Sequence, residues 1–290
     1  MNGSPFDLDQ PLAYQRWRDA KRASHPTQAR ELVVNVADPR DLSDAEAQAL
    51  RQRCATTNMA IYRSALTTED KNIPLQLAHQ LGLHRLDGNW LADEDGVSQI
   101  QVADQSEKTA FIPYTNRAIK WHTDGYYHPQ SRPIRAMVLH CVRSALAGGE
   151  NALMDHEMAY IAVREANPDW LRALMAPDAM TIPERLDDDG VARAEQSGPV
   201  FSVDPEDGML HMRYTARTRS VVWKADAPTR AAAAFLQRLL ESAGPHQFRL
   251  RLEPGMGLVC NNVLHDRAGF VDEARQPRLL YRARYLDRIG

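Results

Sequence analysis

The stretch Lys120-Trp121-His122-Thr123-Asp124-Gly125-Tyr126-Tyr127 decides how this chain is read. His122 and Asp124 are separated by one residue, and on an extended segment side chains at i and i+2 point to the same face. An imidazole nitrogen and a carboxylate oxygen can then reach one ion together. A third ligand has to come from elsewhere, and His265 in Cys260-Asn-Asn-Val-Leu-His265-Asp-Arg267, just beyond a late strand, is the candidate. Two histidines and one carboxylate on one face of a metal leave the other face open, the donor set of non-haem iron(II) oxygenases. A lone His-x-Asp is a weak signal, because a surface hydrogen-bonded pair gives the same pattern. The order of parts is what makes it specific: His-x-Asp, the Gly148-Gly149 turn before a strand, the distal histidine, and then arginines at a set interval.

Outward from this motif, the chain has the composition of an ordinary globular protein. It has 290 residues, 43% hydrophobic and 25% charged, with a formal net charge of −3. No basic face of the kind nucleic acid requires is indicated. Cys54, Cys141 and Cys260 are too few and too widely spaced for a disulfide framework or a cysteine zinc site, and read as buried thiols. The first residues hold no apolar run of signal-peptide type. No stretch approaches the roughly 18 apolar residues of a membrane span. The expectation is a cytoplasmic protein that acts on a small molecule, with no nucleic-acid or membrane partner.

Local signals place the elements. Residues 1–30 are an N-terminal arm or a short helix. Glu31–Val36 reads as a strand, and Ser43-Asp-Ala-Glu46 is a capping box before a helix to about Thr56. Met59–Arg63 is a strand. Thr67 and Thr68, followed by Glu69 and Asp70, open a helix carrying Leu75, Leu77 and Leu81. Residues 94–116 lack helical periodicity. Ala136–Val142 and Glu150–Met154 are strands, Asp155 caps a helix, and Pro168 starts a short one. Residues 183–197 read as an acidic loop, either a lid or an ordinary solvated turn. Val200–Val203 and Met209–Tyr214 form a hairpin. Pro228–Glu241 is a helix, and Gln247–Leu252, Gly257–Cys260 and Arg278–Tyr285 are closing strands. The sum is one α+β domain over residues 1–290, mainly β, built on an antiparallel sandwich or barrel.

At this point the chain resembles the taurine dioxygenase (TauD/TfdA) family, nearest its γ-butyrobetaine hydroxylase branch. The residues that carry the likeness are Tyr114-Thr-Asn116, Trp121-His-Thr-Asp124, Leu139-His-Cys141, Gly148-Gly-Glu-Asn151 with Asp155, and Val263-Leu-His265-Asp-Arg267 through Arg278 to Tyr285. The resemblance implies a distorted double-stranded β-helix, or jelly-roll, core with flanking and inserted helices. It implies His122, Asp124 and His265 as ligands of Fe(II), with 2-oxoglutarate and O₂ as co-substrates and succinate and CO₂ as products. Arg278 fills the family's place for gripping the far carboxylate of 2-oxoglutarate, with Arg282 four residues later. A guanidinium makes a bidentate pair that lysine could not reproduce. Asn151 stands where the family has threonine, and its amide can still donate to 2-oxoglutarate.

The substrate reading is thinner. Tyr114 stands where the γ-butyrobetaine branch places a cage tyrosine for a quaternary ammonium. Gln101 replaces the cage's tryptophan, so a core tyrosine is the equal alternative. Tyr126 and Tyr127 are placed to line the mouth of the site. Arg213, Arg217 or Arg219 suits a carboxylate, sulfonate or phosphonate substrate, or pairs with the acidic 186–206 stretch. His128, His140, His156 and His211 read as structural. Two rival readings are a non-catalytic metal-binding sensor and a cupin-like metalloenzyme independent of 2-oxoglutarate. Relatives of this type often assemble as dimers or tetramers, so a homo-oligomer is expected.

Overall fold

Ser43 accepts a hydrogen bond from the backbone N–H of Glu46, and the Glu46 carboxylate reaches back to Ser43 N at 2.8 Å. This closes the capping box and starts the helix Asp44–Thr57 where the sequence asks for it. Asn58, in the left-handed region at φ 59, ends that helix and turns the chain directly into the strand Met59–Arg63. The computed structural model describes residues 3–88, 93, 95–103, 111–187, 190–218 and 221–290. By its contacts the chain divides into two compact units.

One unit comprises Pro26–Lys120, Ile134–Leu153 and Phe248–Gly290. Its main sheet runs, in order, Val33–Asn35, Met59–Arg63, Met256–Cys260, Ala136–Arg143, Leu279–Tyr285 and Ser98–Ile100. Only the first pair is parallel; the rest are antiparallel. A four-stranded sheet runs Gln247–Leu250, Asn151–Met154, Leu264–Arg267 and Ile119–His122. Side chains alternate along each strand, so each sheet offers one face to a core. A buried cluster draws Ile61, Met137, Cys141, Leu258 and Leu280 from the first sheet and Leu153 and Phe248 from the second. The opposite face of the larger sheet buries Ala60, Tyr62, Val138, Val259 and Ala283. Leu50 and Cys54 of Asp44–Thr57, and Leu77 and Ala78 of the helix Asn72–Gln80, complete that layer.

The other unit comprises Met1–His25, Trp121–Pro133 and Met154–Gln247. The helices Pro11–Ser24, His156–Ala166, Pro168–Leu174 and Ala227–Glu241 belong to it, with short antiparallel ribbons. Asp155 caps the second of these helices through Glu157 N and pairs with the buried Lys21 at 2.6 Å. Phe6, Trp17 and Phe201 pack edge-on around Tyr160.

Several expectations shift. Residues 11–24 form a helix, the second of the two possibilities for the N-terminal arm. Ala29–Leu32 is a 3-10 turn, so the first strand starts at Val33. The helix expected from Thr67 starts at Asn72, because Asp70 accepts from the Asn72 N–H and ends the preceding turn there. The 183–197 stretch is not a plain loop. Arg185–Asp187 pairs with Gly190–Arg193, and Gln196–Gly198 pairs with Met180–Ile182. The hairpin expected around 200–214 forms, Phe201–Val203 against Leu210–Met212. Among the described residues no helix is long and apolar enough to cross a membrane.

Candidate active site

The strand Ile119–His122 delivers the metal motif, and the segment after it is zipped to a partner. Thr123 N–H donates to the Tyr214 carbonyl at 3.0 Å, Tyr214 N–H donates to Thr123 Oγ1 at 3.1 Å, and Ala216 N–H donates to the Trp121 carbonyl at 2.8 Å. His122 and Thr215 form a bridge between these bonds. The chain then turns at Gly125, whose φ of +67° few side chains tolerate, and His128 N–H closes the turn on the Gly125 carbonyl. Asp124 therefore sits in a turn rather than on the strand. The same-face geometry still holds, with His122 Nε2 3.7 Å from Asp124 Oδ1. Both side chains are largely buried, and Tyr126 stands edge-on to the His122 ring at 6.4 Å.

His265 follows the strand Met256–Cys260, as expected, and sits within the next strand, Leu264–Arg267, where it is 8% exposed. Its Nδ1 lies 2.9 Å from the Val263 carbonyl. A carbonyl only accepts, so Nδ1 carries the proton and Nε2 presents its lone pair, the tautomer that a metal takes. Asp266 and Asn151 hold this strand: Ala152 N–H donates to Asp266 Oδ1 and Asn151 Nδ2 donates to the Asp266 carbonyl, each at 2.8 Å. One ligand atom from each of His122, Asp124 and His265 lies within 4.8 Å of the others. Two imidazoles and a carboxylate without a thiolate suit iron(II).

Arg278 is 5% exposed, and burial pulls its pKa down. Its guanidinium stacks 5.1 Å from the centre of the Phe270 ring, and its backbone N–H is held by Asp272 Oδ1. Among the described residues that guanidinium has no hydrogen-bond acceptor. The Gly-Gly turn runs beside it: a Cβ at Gly149 would lie 3.6 Å from Arg278 Nε, an ordinary contact, whereas one at Gly148 would lie 2.4 Å from the Gly269 carbonyl oxygen, too close for any side chain. Both glycines take positive φ. Arg278 stands just before the strand Leu279–Tyr285 rather than in it, and Arg282 lies within that strand, in register with Leu139. The Asn151 amide, expected to reach 2-oxoglutarate, spends one N–H on the neighbouring strand, while its Oδ1 is buried without a partner.

The remaining candidates fall in different places. Tyr114 is 1% exposed in the hydrophobic core of its unit, matching the core alternative. Arg213 is corrected from substrate ligand to structural clamp, because its guanidinium donates to the carbonyls of Tyr126, Met180, Gln196, Gly198 and Pro199. With its donors so committed and no anion beside it, burial lowers its pKa to about 10. Arg217 is exposed, and its side chain makes no ion pair among the described residues. Arg219 lies outside the described residues.

Sequence reasoning missed Arg267. It is buried, lies 4.9 Å from the Phe270 ring, and donates to the carbonyls of Pro113, Thr115 and Arg117. Its pKa falls to about 9, first through burial and then through the nearby Arg278. Its place two residues after His265, on the same strand face, was the available signal.

Comparison with known proteins gives the same direction. A uridine-5'-phosphate dioxygenase from Amycolatopsis sp is 34% identical over 176 residues, 58% of this chain and 60% of that protein. A second protein of that name, from Streptomyces sp, is 28% identical over 200 residues, 66% of this chain and 69% of its own. The match thus spans less than two thirds of the Amycolatopsis protein. Among solved structures, the non-heme iron oxygenase OrfP in complex with Fe and alpha-ketoglutaric acid superimposes with a TM-score of 0.60 at 15% identity, covering 84% of this chain and 80% of that one. The description "Taurine catabolism dioxygenase TauD, TfdA family" matches residues 20–284, and the chain belongs to that family of iron- and 2-oxoglutarate-dependent dioxygenases.

Proposed function

We propose that this chain, working as a single catalytic domain, oxidises a small anionic metabolite at the expense of 2-oxoglutarate and O₂. A nucleoside 5'-phosphate is the first substrate to test. The observation that carries the reading is the convergence of His122, Asp124 and His265 ligand atoms within 4.8 Å. Family membership supplies the co-substrates, and the relatives named for uridine 5'-phosphate point to the substrate class. The two sheets with a shared buried core are read as the distorted jelly roll of this family.

In this reading His122, Asp124 and His265 hold iron(II). Arg278 pairs with the distal carboxylate of 2-oxoglutarate, a buried cation meeting the anion it otherwise lacks. Arg282, four residues on in the strand Leu279–Tyr285, is the second cation for that carboxylate. Iron(II) with O₂ and 2-oxoglutarate supplies the oxidising power for C–H attack, leaving succinate and CO₂. The protein's own task is to orient one C–H bond and keep water out. Tyr126, edge-on to His122, forms one wall.

The test is succinate formation by anaerobically purified protein given Fe(II), ascorbate, O₂ and 2-oxoglutarate. The panel holds uridine 5'-phosphate, betaines, amino acids, sulfonates and phosphonates. Succinate that rises with one compound and vanishes without iron supports the proposal. No succinate under any condition, with no 2-oxoglutarate binding by calorimetry, favours a metal-binding sensor instead.

A further inference from the structure

We infer that Arg267 is a remote cation of the co-substrate pocket, acting through its buried charge on the distal carboxylate that Arg278 grips. The inference rests on the role proposed above for Arg278 and adds a residue to it. Arg267 and Arg278 approach one ring. Their guanidinium carbons lie 4.9 Å and 5.1 Å from the centre of Phe270, each within the range at which a ring face attracts a cation, so the two charges are at most about 10 Å apart. Both side chains are buried. Like charges this close repel, and they do so more strongly out of water than in it.

The donors of Arg267 are largely spent, but its charge is not met. Its terminal amines donate to the carbonyls of Pro113, Thr115 and Arg117, which are neutral acceptors, and its Nε is buried without a partner. Among the described residues the carboxylate that acts on both arginines is Asp272, and it forms no ion pair with either. Its Oδ1 accepts the backbone N–H of Arg278 at 2.7 Å, and its Oδ2 is buried without a hydrogen-bond partner. Arg267, Arg278 and Asp272 therefore hold one positive charge in excess. A buried charge is costly unless an opposite charge meets it. A carboxylate bound at Arg278 supplies that opposite charge. The two arginines then divide the work: Arg278 has the open donors, whereas the carbonyls fasten Arg267 in place and leave it to act by charge alone. The result is a preference for a 2-oxo acid with an anionic tail, beyond what Arg278 provides by itself.

The experiment is anaerobic calorimetry on the Mn(II)-loaded protein, independent of turnover. The ligands are 2-oxoglutarate and 2-oxopentanoate, which has the same carbon chain with a methyl group in place of the distal carboxylate. The variants are Arg267→Gln, Arg267→Lys and Asp272→Asn, with Arg278→Gln beside them. A unit charge about 10 Å away, at an effective dielectric constant of about 20, changes binding roughly tenfold. Arg267→Gln should weaken 2-oxoglutarate by that factor and leave 2-oxopentanoate unchanged, and Arg267→Lys should restore most of the loss. Asp272→Asn, whose amide oxygen can still accept the Arg278 N–H, should tighten 2-oxoglutarate by a similar factor. Equal weakening of both ligands in Arg267→Gln, or no rescue by lysine, marks a merely structural arginine and overturns the inference. Failure of Asp272→Asn to tighten 2-oxoglutarate also overturns it, and this arm stands even if Arg267→Gln does not fold. Binding that depends on Arg278 and not on Arg267 removes this inference and keeps the role of Arg278. No 2-oxoglutarate binding by the parent, or none of it dependent on Arg278, removes both.

Discussion

Replacing Arg278 by glutamine removes the buried charge proposed to grip 2-oxoglutarate. The guanidinium is 5% exposed, is stacked on Phe270 and has no acceptor among the described residues. In the proposed complex its partner is the distal carboxylate of 2-oxoglutarate. Breaking a buried ion pair by removing one member costs about 3–5 kcal/mol. At about 1.4 kcal/mol per factor of ten, the KM for 2-oxoglutarate should rise by roughly two to three and a half orders of magnitude. Arg278→Lys keeps the charge but loses the fork. One charge-assisted hydrogen bond is worth about 1.5–3 kcal/mol, so a rise of roughly tenfold to a hundredfold is expected. The assay is initial-rate succinate formation against 2-oxoglutarate concentration. Anaerobic calorimetry of the Fe(II) protein runs beside it, with iron content measured on the same samples to show that the metal set survives. A KM for Arg278→Gln within about threefold of the parent would refute the assignment. A large rise on Arg282→Gln instead would move the grip four residues along the chain.

The other expected outcomes rest on separate contacts. His265→Ala should lose iron, read as metal per chain by atomic absorption, and retention of full occupancy with turnover would remove it from the ligand set. His140 is buried against the Tyr62 hydroxyl, and burial holds its pKa at about 4 against an ordinary 6.5. Below pH 6.5 the unfolded chain binds a proton that the folded ring refuses until about pH 4, so stability falls with pH across that window. The loss amounts to about 3 kcal/mol, and His140→Gln should flatten this part of the stability profile in urea denaturation. Gly148→Ala places a Cβ 2.4 Å from the Gly269 carbonyl at a φ of +75°. It should cost at least about 1–2 kcal/mol by chemical denaturation, and a neutral effect would mean that the turn relaxes freely. Arg213→Met strips the donor from the carbonyls of Tyr126, Gln196 and Gly198 among others. A loss of about 3 kcal/mol or more is expected, visible as a lowered Tm, with the KM for 2-oxoglutarate unchanged.

What the sequence determined by itself was local. The Ser43–Glu46 capping box, the Asp155 cap and the apolar strand runs 59–63 and 136–142 are written within a short length of chain, where capping and strand propensity act. His122 and Asp124 were legible for the same reason, and His265 was the candidate third donor because of the order of the motifs and the family resemblance they carry. The tertiary structure decided what depends on partners far along the chain. It put His265 inside a strand, committed Arg213 to backbone carbonyls, and gave Arg267 the carbonyls of the 113–117 segment. It also turned the acidic 183–197 stretch into a ribbon that sets Arg193 opposite Arg185. An arginine's five donors are the same in any sequence. Whether they meet carbonyls, a carboxylate or a ligand is fixed by which distant backbone packs beside them, and no local period or spacing encodes that.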